Sequence, residues 1–233
     1  MTMIIFWNGA TMGGKAIDGI WDFPRLASYY LFTVIVIVFT LSHIEQDVAV
    51  HDIKEGNISP YILKPFSYYW LKFFYEIPYR FIQVTWGLLT LSVILIFYSD
   101  IVQFTNSWQI LFLTILSLFL AFLLSFTIKM IAGILAFWFV EIRGVFEILE
   151  VTILIFGGIL MPLTLYPEML ERVAYALPFA YVIYFPVIAL QGQLPLIELT
   201  RMMGVQLLWI GIVGFIYIQL WRAGLRKYSA IGQ

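Results

Sequence analysis

The sequence predicts an all-α membrane protein, a polytopic transmembrane helix bundle of about five full spans. Three observations carry that prediction. First, 62% of the 233 residues are hydrophobic and 12% are charged, with a mean hydropathy of +0.94; soluble domains carry roughly a quarter charged residues. A single soluble core of this size does not hide that much apolar surface, so lipid is the solvent. Second, the apolar residues come in continuous runs near the length of about 20 residues that a helix needs to cross a bilayer. Third, those runs lack the short period-two alternation of membrane β-strands. The length suits one transmembrane domain, 1–233, without a second soluble domain. A net charge of −1 gives no footprint for nucleic acid. The absence of cysteine excludes disulfides, thiolate metal sites and cysteine nucleophiles.

The elements follow in order. In 1–25, "MIIFW" (3–7) is too short to cross and reads as the remnant of a first span, followed by an outer loop. No basic segment followed by an apolar one marks a signal peptide. "GATMGGKA" (9–16) approaches a phosphate-binding loop, but Ala16 replaces the magnesium-binding hydroxyl and no strand precedes the glycines. It is expected to be a flexible loop. The first full span is 26–44.

Residues 45–80 form a polar island between two apolar walls. "IEQDVAVHDIKEG" (44–56) continues helical periodicity until Gly56 and Asn57, both tolerant of left-handed geometry, end it. Ser59 reads as an N-cap with Pro60 at the first helical position. "PYILK" then makes a short helix stopped by Pro65. "FSYYWLKFFYEIPYRF" (66–81) is amphipathic and aromatic, and is expected at the membrane interface. A short, stiff, charged knob of this kind suits mechanical contact with a soluble partner.

The remaining spans are 81–98, 109–139, 146–165 and 203–220. Lys129 sits in 109–139, where a central lysine costs roughly 2.5 to 3.5 kcal/mol and each Leu, Ile or Phe returns about 0.3 to 0.6. The preceding apolar residues outweigh it, and Lys129 is expected to snorkel to the cytoplasmic headgroups. Between the last two spans, Pro162, Pro167, Pro178, Pro186 and Pro195 punctuate pieces too short to cross. Segment 162–198 is therefore expected to hold outer re-entrant or interfacial helices, tolerable at membrane depth only when packed on protein. Within it, 168–177 is expected along the outer surface with Leu170, Val173 and Leu177 inward. With 45–80 placed in the cytoplasm, nine of the 13 Lys and Arg residues fall inside, as the positive-inside rule requires.

Candidate chemistry is sparse. His43, Asp47 and His51 share one helical face and are of metal-ligating types, but no specific ligand spacing accompanies them, and a solvated helix end is the expectation. "NIS" at Asn57 is a formal glycosylation sequon on the cytoplasmic side. Glu141, Arg143, Glu147 and Glu150 gather at one cytoplasmic edge. Arg143 and Glu147 form an i, i+4 pair, while Glu150 lies deeper and requires a partner or a water-filled cavity. Glu147, Glu150 and Lys129 are the candidates for a transport path. No catalytic constellation emerges.

"DIKEGNISPYILKPFS" (52–67) resembles the acidic-basic-Glu-Gly…Leu-x-x-Pro segment of bacterial type 2 ABC exporter permeases, in the branch that works with a second permease and a separate ATPase. "AFWFVEIRGVFEI", "GGILMPLTLYPEMLERVAYALPFAYVIYFP" and the tail "WRAGLRKYSAIGQ" are similar to later motifs of that family in the same order. The resemblance implies six spans, a cytoplasmic coupling helix between spans two and three, and outer re-entrant helices before span six. It implies that Asp52, Lys54, Glu55, Gly56, Asn57, Leu63 and Pro65 carry contact with two ATPase subunits. It also implies a second permease chain, identical or homologous, and a place in the bacterial cytoplasmic membrane. ATP and magnesium would be bound by the ATPase, with no cofactor in this chain. Where the family has an elbow helix and a complete first span, only "MIIFW" stands here. A polytopic intramembrane enzyme and a non-transporting scaffold subunit are the alternative readings.

Overall fold

The computed structural model describes residues 20–98 and 107–231. The "MIIFW" remnant, the "GATMGGKA" stretch and most of the turn 99–107 lie outside those residues. Helix α1 (Phe23–Thr40) begins where the Asp22 side chain accepts the Arg25 amide at 2.9 Å, with proline in its first turn. It stops at Leu41, whose backbone is extended, and residues 41–43 are not helical. Helix α2 starts at Ile44–Gln46 and runs on in the wider π-helical turns of Asp47–Lys54. Gly56, at φ +80°, turns the chain away from it, as Gly56 was expected to do.

The short helix α3 (Ser59–Ile62) and the long α4 (Tyr68–Tyr98) follow. At about 1.5 Å per residue, the 31 residues of α4 exceed the roughly 30 Å hydrocarbon core, so the interfacial segment and the expected second span, 81–98, form one continuous helix through Pro78. Helix α5 (Trp108–Ile134) ends in a 3₁₀ turn, Leu135–Phe137. Then come α6 (Arg143–Phe156), α7 (Glu168–Ala176), α8 (Tyr184–Leu190) behind the 3₁₀ turn Pro178–Tyr181, and α9 (Leu196–Ile231).

Among the described residues, three helical stretches, Phe23–Lys54, Trp108–Phe137 and Leu196–Tyr228, have the length and hydropathy to cross a bilayer. Glu168–Ala176 and Pro178–Leu190 form a pair bent by 73°, a broken span or a re-entrant loop. The expectation of a full span at 146–165 is corrected: α6 has 14 residues, about 21 Å, and its helix ends at the Gly157-Gly158 pair. Gly158 has φ +79°, a conformation that does not propagate a right-handed helix.

Helix α5 is the hub. Helix α9 packs along it, while α1, α2 and α8 occupy its other sides. One core, on the side of α7 and α8, centres on Tyr29, Leu163 and Ile183; the other, around α2 and the start of α4, centres on Phe126, Met130 and Ile134.

In the first core the irregular segment 157–166 leaves carbonyls outside any ladder, and aromatic side chains satisfy them. Tyr29 Oη donates to Gly158 O at 2.6 Å and Tyr30 Oη to Leu160 O at 2.9 Å, while Tyr166 Oη reaches back to Ile155 O in the last turn of α6 at 2.8 Å. Residues 180–191 are all buried, so this segment does lie against protein. Helix α7 docks through Ala174, not through Leu170 and Val173, which remain exposed; the smaller side chain permits a closer approach to the buried 3₁₀ turn.

A Cβ at Gly158 would stand 2.8 Å from the Tyr29 hydroxyl, in a backbone conformation that side chains avoid, whereas one at Gly214 meets nothing within 4 Å. Gly158→Ala is therefore expected to destabilise the protein by about 1–3 kcal/mol, and Gly214→Ala to leave it unchanged or raise it by up to about 1 kcal/mol. Thermal melting of the two variants in detergent checks the contrast.

Candidate functional site

The site begins with the interruption of the first span. A helix end leaves its last carbonyls without intrahelical donors, and at residues 41–43 two cations from other helices supply them. Arg80 of α4 donates through one guanidinium nitrogen to Val38 O at 2.8 Å and Leu41 O at 2.7 Å. Lys129 of α5 donates to Ser42 O and to Glu45 Oε1, the latter at 2.9 Å. Cations also suit the negative end of the α1 dipole. Glu76 at 3.1 Å and Gln83 at 2.9 Å hold Arg80 in place.

Lys129 and Glu45 are 2% and 1% exposed, so the expectation that Lys129 snorkels to the headgroups is corrected. Its ammonium turns inward because the carbonyl freed at the break and the Glu45 carboxylate together replace its hydration. Glu45 was not among the residues the sequence singled out. It stands in a polar stretch where any acid reads as solvated, and its partner lies 84 positions away.

Below the break, Lys72 pairs with Asp47 and, at 2.6 Å, with Asp52, which also accepts from the Tyr68 hydroxyl. Burial alone would lower the Lys72 pKa, but the hydrogen bonds and charges of the two aspartates outweigh it and raise the pKa. The Tyr68 ring stacks on Trp221 of α9 at 4.7 Å between centroids. His43, Asp47 and His51 all line one cavity, but each has its own polar neighbour: His43 Nδ1 lies 3.7 Å from Glu45 Oε1, Asp47 pairs with Lys72, and His51 Nδ1 lies 3.3 Å from Glu55 Oε2.

The knob stands on this base. Ile58 is fully buried beneath it, and its amide donates to Asp52 O at 2.8 Å. Asn57 Nδ2 donates to His51 O at 2.9 Å, and Lys54 Nζ reaches Val140 O at 2.6 Å. Helix α3 starts at Ser59 with Ile58 as its N-cap. Ser59 is therefore not the expected cap; its hydroxyl instead lies 3.2 Å from the Tyr228 hydroxyl. Lys54, Glu55, Asn57, Leu63 and Pro65 are exposed, Gly56 is half-buried, and Asp52 is buried and acts from beneath.

A cavity of about 1400 Å³ opens beside the knob between α1, α2, α4 and α6. Apolar residues such as Ile37, Val38, Leu154 and Ile159 form part of its wall, and Lys72, Arg80, Lys129 and Glu150 add charge. Glu150 thus has the cavity its depth requires. Glu147 does not line it; it pairs with Arg143 at 3.2 Å, both side chains exposed.

A helical membrane bundle with a charged cavity beside a rigid knob is the architecture of a transport permease. The sequence matches the family model described as ABC-2 family transporter protein over residues 1–232, and the chain belongs to that family. It is an integral membrane protein and the membrane permease component of an ABC transporter. No match emerges among curated proteins or among solved structures.

Removing one partner of a buried ion pair strands the other, at a cost of about 3–5 kcal/mol, whereas replacing both with apolar groups is far milder. Lys129→Met is therefore expected to melt well below the parent, and the Glu45→Leu/Lys129→Met double variant to recover a substantial part of the loss. Thermal unfolding of the three proteins in the same detergent reads the difference.

Proposed function

We propose that this chain is the permease of an exporter driven by separate ATPase subunits, with residues 52–65 as the lever those subunits push. The observation that carries this reading is the contrast within the knob. Leu63 and Phe66 are 86% and 73% exposed, whereas Ile58, a few residues earlier in the same short segment, is fully buried. An exposed apolar tip on a fixed base suits a protein contact.

Two ATPase subunits, carrying ATP and magnesium, would pair with this chain and a second permease, identical or homologous. ATP binding draws the ATPases together, and their motion passes through α3 to the base formed by Asp52, Lys72 and Tyr68. Ligand-driven closure shifts an equilibrium only through contacts that differ between the two states, so the lever has to be stiff. Lys54, Glu55, Gly56, Asn57, Leu63 and Pro65 would form or shape the contact, with Asp52 positioning it from within. The cavity beside α4 and α6 would be the path, with Glu150 and Lys129 on its wall. Glu147, paired with Arg143, does not line that cavity.

The test is co-purification with the cognate ATPase and ATP turnover of the complex in nanodiscs. Leu63→Asp and Gly56→Val are expected to weaken assembly or coupled turnover by about tenfold or more, equivalent to about 1.4 kcal/mol. Full assembly and turnover in both variants would overturn the assignment of the lever.

A further inference from the structure

We infer that His43, Glu45 and Glu150 form a binding site for a divalent transition cation of the zinc class. One nitrogen of His43 and one oxygen from each carboxylate lie within 4.8 Å of one another, and His43 Nδ1 is 3.7 Å from Glu45 Oε1. Ligands around a tetrahedral zinc ion at about 2.1 Å stand about 3.4 Å apart, so a small inward swing of His43 and Glu150 brings the cluster, already within 4.8 Å, to the spacing of one ion. His43 and Glu150 are exposed and free to swing inward, while Glu45 is fixed by Lys129.

An independent observation points to the ligand. Glu45 is 1% exposed, and its Oε2 has no hydrogen-bond partner among the described residues. Buried carboxylate oxygens ordinarily find a donor. A cation on Oε2 completes the group while Oε1 keeps Lys129. The neighbouring Ser42 Oγ is also buried and has no partner among the described residues.

Charge agrees with geometry. Two carboxylates face one ammonium here, and the nearby Arg80 is already paired with Glu76. An imidazole with two carboxylates suits zinc better than magnesium or calcium, which favour oxygen ligands alone. Three protein ligands leave a fourth position facing the cavity that His43 and Glu150 line. The bound ion would join α6 to the break between α1 and α2. The inference does not rest on the proposed lever or on transport.

The test uses the untagged chain, stripped of metal by chelation, reconstituted in nanodiscs and titrated calorimetrically with zinc chloride. One ion per chain is expected, with a Kd of about 1 μM or tighter. His43→Ala and Glu150→Gln, both at exposed positions, are expected to weaken binding by about tenfold or more, with melting of the metal-free proteins unchanged. His51→Ala, outside the cluster, is expected to bind like the parent. Absence of binding, or undiminished binding in both cluster variants, overturns the site; equal affinity for magnesium overturns its zinc-class assignment.

Discussion

Backbone carbonyls withdrawn from water need donors, and the first span of this protein breaks its own ladder at residues 41–43. Arg80 and Lys129 supply the donors from two other helices. That arrangement fixes α1 and α2 against α4 and α5 at one place. What lies below inherits its position: α2 carries Asp47 and Asp52 to Lys72, Asp52 carries the Ile58 amide, and Ile58 carries α3. Under the proposed function, the knob is a lever seated on two ion pairs and a backbone hydrogen bond. The family to which the chain belongs implies association with an ATPase subunit, and the proposed function makes the knob the point of contact.

The same constraint governs the opposite half of the molecule with different donors. There the helix fails at Gly157-Gly158, and tyrosine hydroxyls rather than cations reach the freed carbonyls. The difference has a physical reason. A tyrosine satisfies one carbonyl without introducing charge into an apolar core, whereas the break beside the cavity already holds the Glu45 carboxylate and needs a counter-ion.

Much of this was legible in the sequence because it is local. Continuous apolar runs, the left-handed Gly56, the prolines that bound α3 and those that fragment 162–198 each act within a few residues. The failure of the span 146–165 was also written locally, in "FGGILMP", where two glycines and a proline outweigh the apolar composition. The break at 41–43 was not legible: "LSH" contains neither glycine nor proline, and the interruption depends on Arg80 and Lys129, far away in sequence. The inward turn of Lys129 and the role of Glu45 belong to the same class. The His43, Asp47 and His51 face persists along the cavity wall, but which polar group each side chain meets depends on residues distant in sequence, such as Lys72 for Asp47.

The central claim is that the cation-held break fixes the knob relative to the spans. The chain has no cysteine, so spin labels can be placed singly and without background. The direct measurement is the distance distribution between labels at two exposed positions, Leu63→Cys on the knob and Gly144→Cys at the start of α6, in nanodiscs. A narrow distribution that broadens or shifts when Lys129→Met is added is the predicted result. An identical distribution with and without Lys129 would show that the knob takes its position from elsewhere.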